Sequence, residues 1–252
     1  MNKKPHILIN ILTHGDELIG LKVKKELEKV EIINGVLEFN VANEKAYKEK
    51  KRFIDSDLNR VFPGNPKGNY EEKMAHKLLP KIKKADLVID IHSTISDLKD
   101  ALIITKLNKR TSEVIKVINP KYLLWMNISR KNALISNAKV GVAFEYGKDK
   151  DKKTLNKTVG DIKKILKHFN MIKGLSSKNK LKTKSFKINK SIYKKNGQEL
   201  DSKIKNYKFV RKGQIISSNK EILKAPENFY PILFSSNGYD DIFGFLGKKI
   251  DL

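Results

Sequence analysis

Apolar residues in the first two thirds of the chain follow two alternating patterns. The runs 6–12, 36–41, 87–91, 101–105 and 140–144 are short and rich in branched side chains, which predicts buried strands. Between them, apolar positions recur at helical spacing. Ile19, Val23, Leu27 and Val30 predict a helix beginning near Glu17, Met74, Leu78 and Ile82 predict a second, and Val159, Ile162, Leu166 and Phe169 a third. Strands alternating with helices predict an α/β fold: a mostly parallel or mixed central sheet flanked by helices, with sites at the carboxyl ends of its strands. From about Gly174 the pattern changes to shorter, lysine-rich segments at 185–193, 207–210, 214–217 and 230–234. Asn196-Gly197 and Lys212-Gly213 are turn signals among them. The chain is therefore expected to divide into an α/β domain, 1–174, and a small C-terminal β domain, 175–252, joined by a linker at 175–184.

Composition limits the chemistry available. At 252 residues, 39% of them hydrophobic, the chain can bury a core of ordinary size. It has no cysteine, which removes disulfides, thiolate metal sites and cysteine nucleophiles together, so any metal must sit on His, Asp or Glu. The net charge of +25 points first to a polyanion partner, but only five of the 53 basic residues are arginines. The lysines run from Lys3 to Lys249 without clustering, and base-reading sites favour the bidentate guanidinium, so most of this charge reads as a solvated surface. The apolar run after the basic start is too short for a signal-peptide core, and a cytoplasmic location is expected.

Four stretches carry candidate chemistry. In Thr13-His14-Gly15-Asp16-Glu17, where the first strand meets the first helix, His14 and Glu17 can be aimed at one cation, although such a spacing also serves helix capping. Asp90-Ile91-His92-Ser93 brings His92 to the same sheet edge, with Asp90 able to orient its ring from behind; a satisfied core histidine is the alternative. Arg52 and Arg60 bracket a loop that includes Asn59. An Asn-Arg pair can clamp a carboxylate and a nearby arginine can stabilise an oxyanion, unless both simply pair with Asp55 and Asp57. Glu145 ends the run 140–144, where burial can raise a carboxyl pKa and fit it to act as a general base.

Taken together, H-x-x-E after the first strand, R-x7-R ending in D-L-N-R, D-x-H-S and E-x-G resemble the succinylglutamate desuccinylase and aspartoacylase family, which is similar in plan to the zinc carboxypeptidases. Phe229-Tyr230-Pro231-Ile232 followed by Tyr239 extends the resemblance into the C-terminal segment. The resemblance implies one zinc ion per chain on His14, Glu17 and His92, with Glu145 activating water and then protonating the leaving amine. It further implies that Arg52 stabilises the oxyanion, that Asn59 and Arg60 hold the substrate carboxylate, and that Tyr239 closes the site. The implied activity is hydrolysis of the amide bond of a small N-acyl amino acid or related carboxylate compound, with no specific nucleic-acid or membrane partner.

Two departures bear on the substrate. Aspartoacylases carry a further arginine ten residues before the catalytic glutamate, where this chain has Ile135; Arg130, Lys131 and Lys139 are the nearby cations. The usual H-G-N-E is H-G-D-E here, adding the charge of Asp16. Two alternatives stay open: a carboxypeptidase-like enzyme acting on peptides or cell-wall fragments, and a lysine-rich nucleic-acid-binding module on an inactive hydrolase scaffold.

Overall fold

The computed structural model describes residues 4–94, 100–129, 131–175, 183–239 and 241–251. The first strand, β1 (His6–Ile11), leads into α1 (Ile19–Leu27), and β2 (Val36–Val41) into the short α2 (Glu44–Lys48). After α3 (Tyr70–Lys84) come β3 (Leu87–His92), β4 (Ala101–Ile104), α4 (Lys109–Ile118), β5 (Tyr122–Met126), β6 (Gly141–Glu145) and α5 (Lys152–His168). The last part of the chain adds β7 (Lys184–Tyr193), β8 (Ile215–Ser217), β9 (Leu223–Lys224), β10 (Tyr230–Ile232) and β11 (Ile242–Ile250).

Nine strands form one mixed sheet in the order β10-β11-β7-β5-β4-β6-β3-β1-β2. β1, β2, β3 and β6 run parallel, while β4 pairs antiparallel with β6 and reverses the direction for β5 and β7. The carboxyl ends of β1, β3 and β6 therefore open on one edge, where His92 and Glu145 sit side by side in the β3–β6 register. The C-terminal strands β7, β11 and β10 continue this sheet, since β7 pairs in parallel with β5.

Because successive strand side chains point to opposite faces, the apolar runs feed two cores. Ile7, Ile9 and Ile11 of β1 pack with Ile89, Phe144 and the inner stripes of α1, α4 and α5. Leu8, Val88 and Ala143 face the other way, against Ala75, Leu78 and Ile82 of α3. Helix α3 begins with a capping box in which Asn69 and Glu72 satisfy each other's backbone amides. Ile135 is buried in this second core beside Leu134.

The segment 207–210, expected as a strand, makes only an isolated bridge from Val210 to Phe229. Tyr207 adopts a left-handed φ of 63° and stacks on Tyr122 with ring centroids 3.8 Å apart, which breaks extended pairing there. Gly197 and Gly213, the expected turn positions, do take positive φ values of 69° and 81°. Most of the expected linker, 176–182, lies outside the described residues. Among the described residues no helix is long and apolar enough to cross a membrane.

Candidate active site

The corner after β1 is built by close backbone approach. Gly15 donates its N–H to the carbonyl of Arg52 at 2.9 Å. A Cβ at this position would meet the backbone of Ala46 at 2.4 Å and the carbonyl oxygen of Lys51 at 2.5 Å, so only glycine lets the Arg52 loop lie against the His14 corner. His14 and Glu17 both turn inward from that corner.

Glu17 stands between the two imidazoles. Its Oε1 lies 2.7 Å from His14 Nδ1 and its Oε2 2.9 Å from His92 Nδ1. Arg52 donates from Nη1 to Glu17 Oε1 at 2.9 Å, and the Ser93 amide donates to Oε2 at 3.2 Å. One ligand atom from each of His14, Glu17 and His92 fits within 4.8 Å of the others, and all three residues are buried.

The outer nitrogens of both rings meet carboxylates. His92 Nε2 lies 2.8 Å from Asp90 Oδ2, and Asp90 in turn accepts from Asn10 and Thr13 through Oδ1 at 3.0 and 2.6 Å. His14 Nε2 lies 3.2 Å from Asp57 Oδ1. A carboxylate behind each imidazole fixes the ring so that its other nitrogen faces inward. Asp90 was legible as such a partner from its spacing to His92. Asp57 was not, because 43 residues separate it from His14 and its local pattern reads as a loop acid.

The donor set suits a small divalent cation such as zinc, since two imidazole nitrogens and one carboxylate oxygen converge, and Glu17 of the three lines a cavity. Electrostatics agree. Burial alone would keep His92 neutral, but the charges of Asp90 and Glu17 outweigh it and raise the ring's pKa well above its ordinary value. Burial likewise opposes the charged ring of His14, and Glu17 with Asp57 raises it. For Glu17 burial favours the neutral carboxyl, yet the two histidines hold it well below the usual range. Positive charge is thus favoured among these three side chains, and a bound dication would supply it in place of protons on the rings.

Glu145 lines the same cavity, about 330 Å³ in volume, with Asp16, Glu17, Arg52, Asp149 and Tyr239. Burial pushes its carboxyl up to about 7, against the opposing pull of His92. Tyr239 is also pushed up, to about 12, by burial and the nearby Glu145, and it rests edge-on against Phe245. Asn59 and Arg60 lie apart, lining a neighbouring cavity of about 550 Å³. Tyr239 borders both cavities. Asn59 accepts from the Leu134 amide at 2.8 Å through Oδ1, which turns its amide group the other way.

A profile of the succinylglutamate desuccinylase/aspartoacylase catalytic domain matches residues 3–160. The chain belongs to this family. Among curated relatives, it is 29% identical over 154 residues to a probable aspartoacylase of Acaryochloris marina, covering 54% of this chain and 52% of that protein. It is 34% identical over 110 residues to N-acyl-aromatic-L-amino acid amidohydrolase (carboxylate-forming) A of Danio rerio, covering 36% of this chain and 34% of that protein. This member of the desuccinylase/aspartoacylase family therefore spans about half the length, or less, of the curated relatives it matches. Its fold is similar to that of murine aminoacylase 3, with a TM-score of 0.82 at 16% identity over 99% of this chain and 97% of that one. Within this family frame Ile135 is an apolar core residue and Lys139 is turned away, donating to the carbonyl of Lys84 at 2.9 Å. Lys131 lines the Asn59–Arg60 cavity, and Arg130 lies outside the described residues.

Proposed function

We propose that this chain is a zinc-dependent hydrolase that cleaves the amide bond of a small N-acyl amino acid or related carboxylate compound. One observation carries the reading: in a chain of this family, Glu17, which joins His14 and His92 in one converging group, lines a single cavity together with Arg52 and a carboxyl raised to about 7 at Glu145. Zinc, when bound, supplies Lewis acidity, which polarises a carbonyl and makes water a usable nucleophile near neutral pH. Glu145 takes a proton from the attacking water and returns it to the leaving amine, a shuttle for which a pKa near neutrality is suited. Arg52 donates to the developing oxyanion. Asn59 and Arg60 bind the substrate's carboxylate from the adjoining cavity, and Tyr239 spans the two chambers.

The proposal includes a catalytic part over 1–174, a C-terminal β part over 175–252 that contributes Tyr239, a soluble small-molecule substrate and a cytoplasmic location. Its test is a panel of N-acyl amino acids given to zinc-loaded protein, with release of free amine as the readout. Turnover of at least one of them, abolished by a chelator and restored by zinc, is expected. No turnover across the panel with zinc bound, or cleavage of peptides alone, would overturn it.

Two further outcomes follow from named groups. Arg60→Ala should raise KM about 10- to 100-fold through loss of a charge-assisted carboxylate contact of roughly 1.5–3 kcal/mol. An unchanged KM in steady-state kinetics would take Arg60 out of the binding site. Glu145 must be deprotonated to act as a base, so kcat/KM should climb with pH through a midpoint near about 7, displaced downward by a cation beside it, and level off above that midpoint. A profile flat down to pH 5 would assign the proton transfer elsewhere.

A further inference from the structure

Glu71, in the first turn of α3, is a fully buried carboxylate that none of the steps above uses. The four hydrogen bonds it accepts all come from uncharged amides. Oε1 accepts from the backbone of Ile54 at 2.7 Å and from the side chain of Asn43 at 3.0 Å. Oε2 accepts from the backbone of Asp55 at 2.9 Å and of Ser56 at 3.1 Å. A buried carboxylate is costly unless several donors face it, and here three consecutive backbone N–H groups close around it as an anion-binding concavity.

Those three residues, with Phe53, make up the stretch between Arg52 and Asp57. At one end Arg52 donates to Glu17, and at the other Asp57 faces His14, so both ends of the segment bear on the proposed zinc ligands. Two more ties of residues 54–56 run to the start of α3: the Tyr70 amide donates to Asp55 Oδ2 at 2.9 Å, and Ser56 bonds Asn69. We infer that Glu71 is a positioning residue: by collecting the amides of 54–56 from outside the cavity, it sets Arg52 and Asp57 against Glu17 and His14. Glutamine cannot replace it, because four donors need four lone pairs, whereas an amide offers two and turns its own hydrogens toward donors. Asn59 is anchored independently through Leu134, so the carboxylate-binding end should be spared.

The kinetic arm of the test rests on the proposed hydrolase activity; the metal arm does not. Zinc-loaded wild type, Glu71→Gln, Glu71→Asp and Ile82→Ala are compared. Ile82→Ala weakens α3 from its core face, away from the loop, and serves as the stability control. Two quantities are read: kcat and KM on a substrate the wild type hydrolyses, and the rate of zinc release to a chelator. Glu71→Gln is expected to lower kcat and speed zinc release by about 10- to 100-fold each, the range for groups that orient metal ligands, with KM changing far less. Glu71→Asp, which keeps the charge but shortens the reach, should fall between Gln and wild type, and it carries the comparison if Glu71→Gln does not fold. Ile82→Ala should lower Tm and leave both quantities near wild type. Wild-type kcat and zinc release in Glu71→Gln, or equal losses in Ile82→Ala, would overturn the inference. A wild type that holds zinc but hydrolyses nothing would overturn the proposed activity, while the release rates would still decide the role of Glu71.

Discussion

Glu145→Ala should abolish turnover, by about a thousandfold or more, while the protein keeps its zinc. The size follows from the two jobs given to one carboxyl. General base catalysis and its return as general acid each contribute about 10²- to 10⁴-fold, and removing the group disables both. Retention of metal follows from geometry: Glu145 is paired with His92 across the β3–β6 register but is outside the group of His14, Glu17 and His92 that converges on one point. The carboxyl raised to about 7 is the electrostatic trace of the same placement, a buried acid at a cavity wall with no hydrogen-bonded cation of its own among the described residues. Steady-state kinetics on wild type and variant, with elemental analysis of both, would check it. Turnover within tenfold of wild type would require another base, and loss of zinc would make Glu145 a support of the metal group rather than a partner of water.

How far such roles can be read from the sequence depends on the distance over which they are written. The strands that lead to His14 and end in His92 and Glu145 are mostly apolar and largely buried on both faces, and runs of that kind announce themselves locally. The helix stripes of α1, α3 and α5 are equally local. β5 and β11 were not legible for different reasons. Tyr-Leu-Leu-Trp-Met has no β-branched residue, so periodicity alone does not tell it from a buried helix turn, and β11 is interrupted by Gly244 and Gly247, with its register shifting at both. The reversal at β4 is likewise invisible, because the direction of a strand lies in its connections. The same contrast holds in the site. His14 and Glu17 are three residues apart and Asp90 and His92 two apart, so side-chain direction alone pairs them. Asp57 finds His14 across 43 residues, and Glu71 finds the 54–56 amides only because α3 folds back beneath that loop. Acids of this kind look like ordinary loop or helix charges until the chain is folded.

His92→Ala should empty the metal site, taking zinc from near one per chain to near none under equal free zinc, and hydrolysis with it. On the proposed reading His92 is one of three ligands found among the described residues, and its removal leaves His14 and Glu17, a pair that sits on one turn and would grip from one side. The loss also reaches the fold. His92 is nearly fully buried between Asp90 and Glu17, at 2.8 and 2.9 Å, so the variant strands two buried carboxylates that had been held ionised by its charge. Breaking a buried pair on one side costs about 3–5 kcal/mol, softened here because Asp90 keeps its bonds from Asn10 and Thr13 and Glu17 keeps Arg52. Because destabilisation and metal loss can imitate each other, both are measured on the same sample: elemental zinc and the thermal midpoint with and without the metal. Wild type should gain midpoint on zinc addition, as any ligand that binds only the folded state requires, and the folded variant should gain none. A folded His92→Ala protein that still holds one zinc and still gains midpoint would show that the imidazole is a core histidine paired to Asp90, and the ion would then have to be sought on other donors.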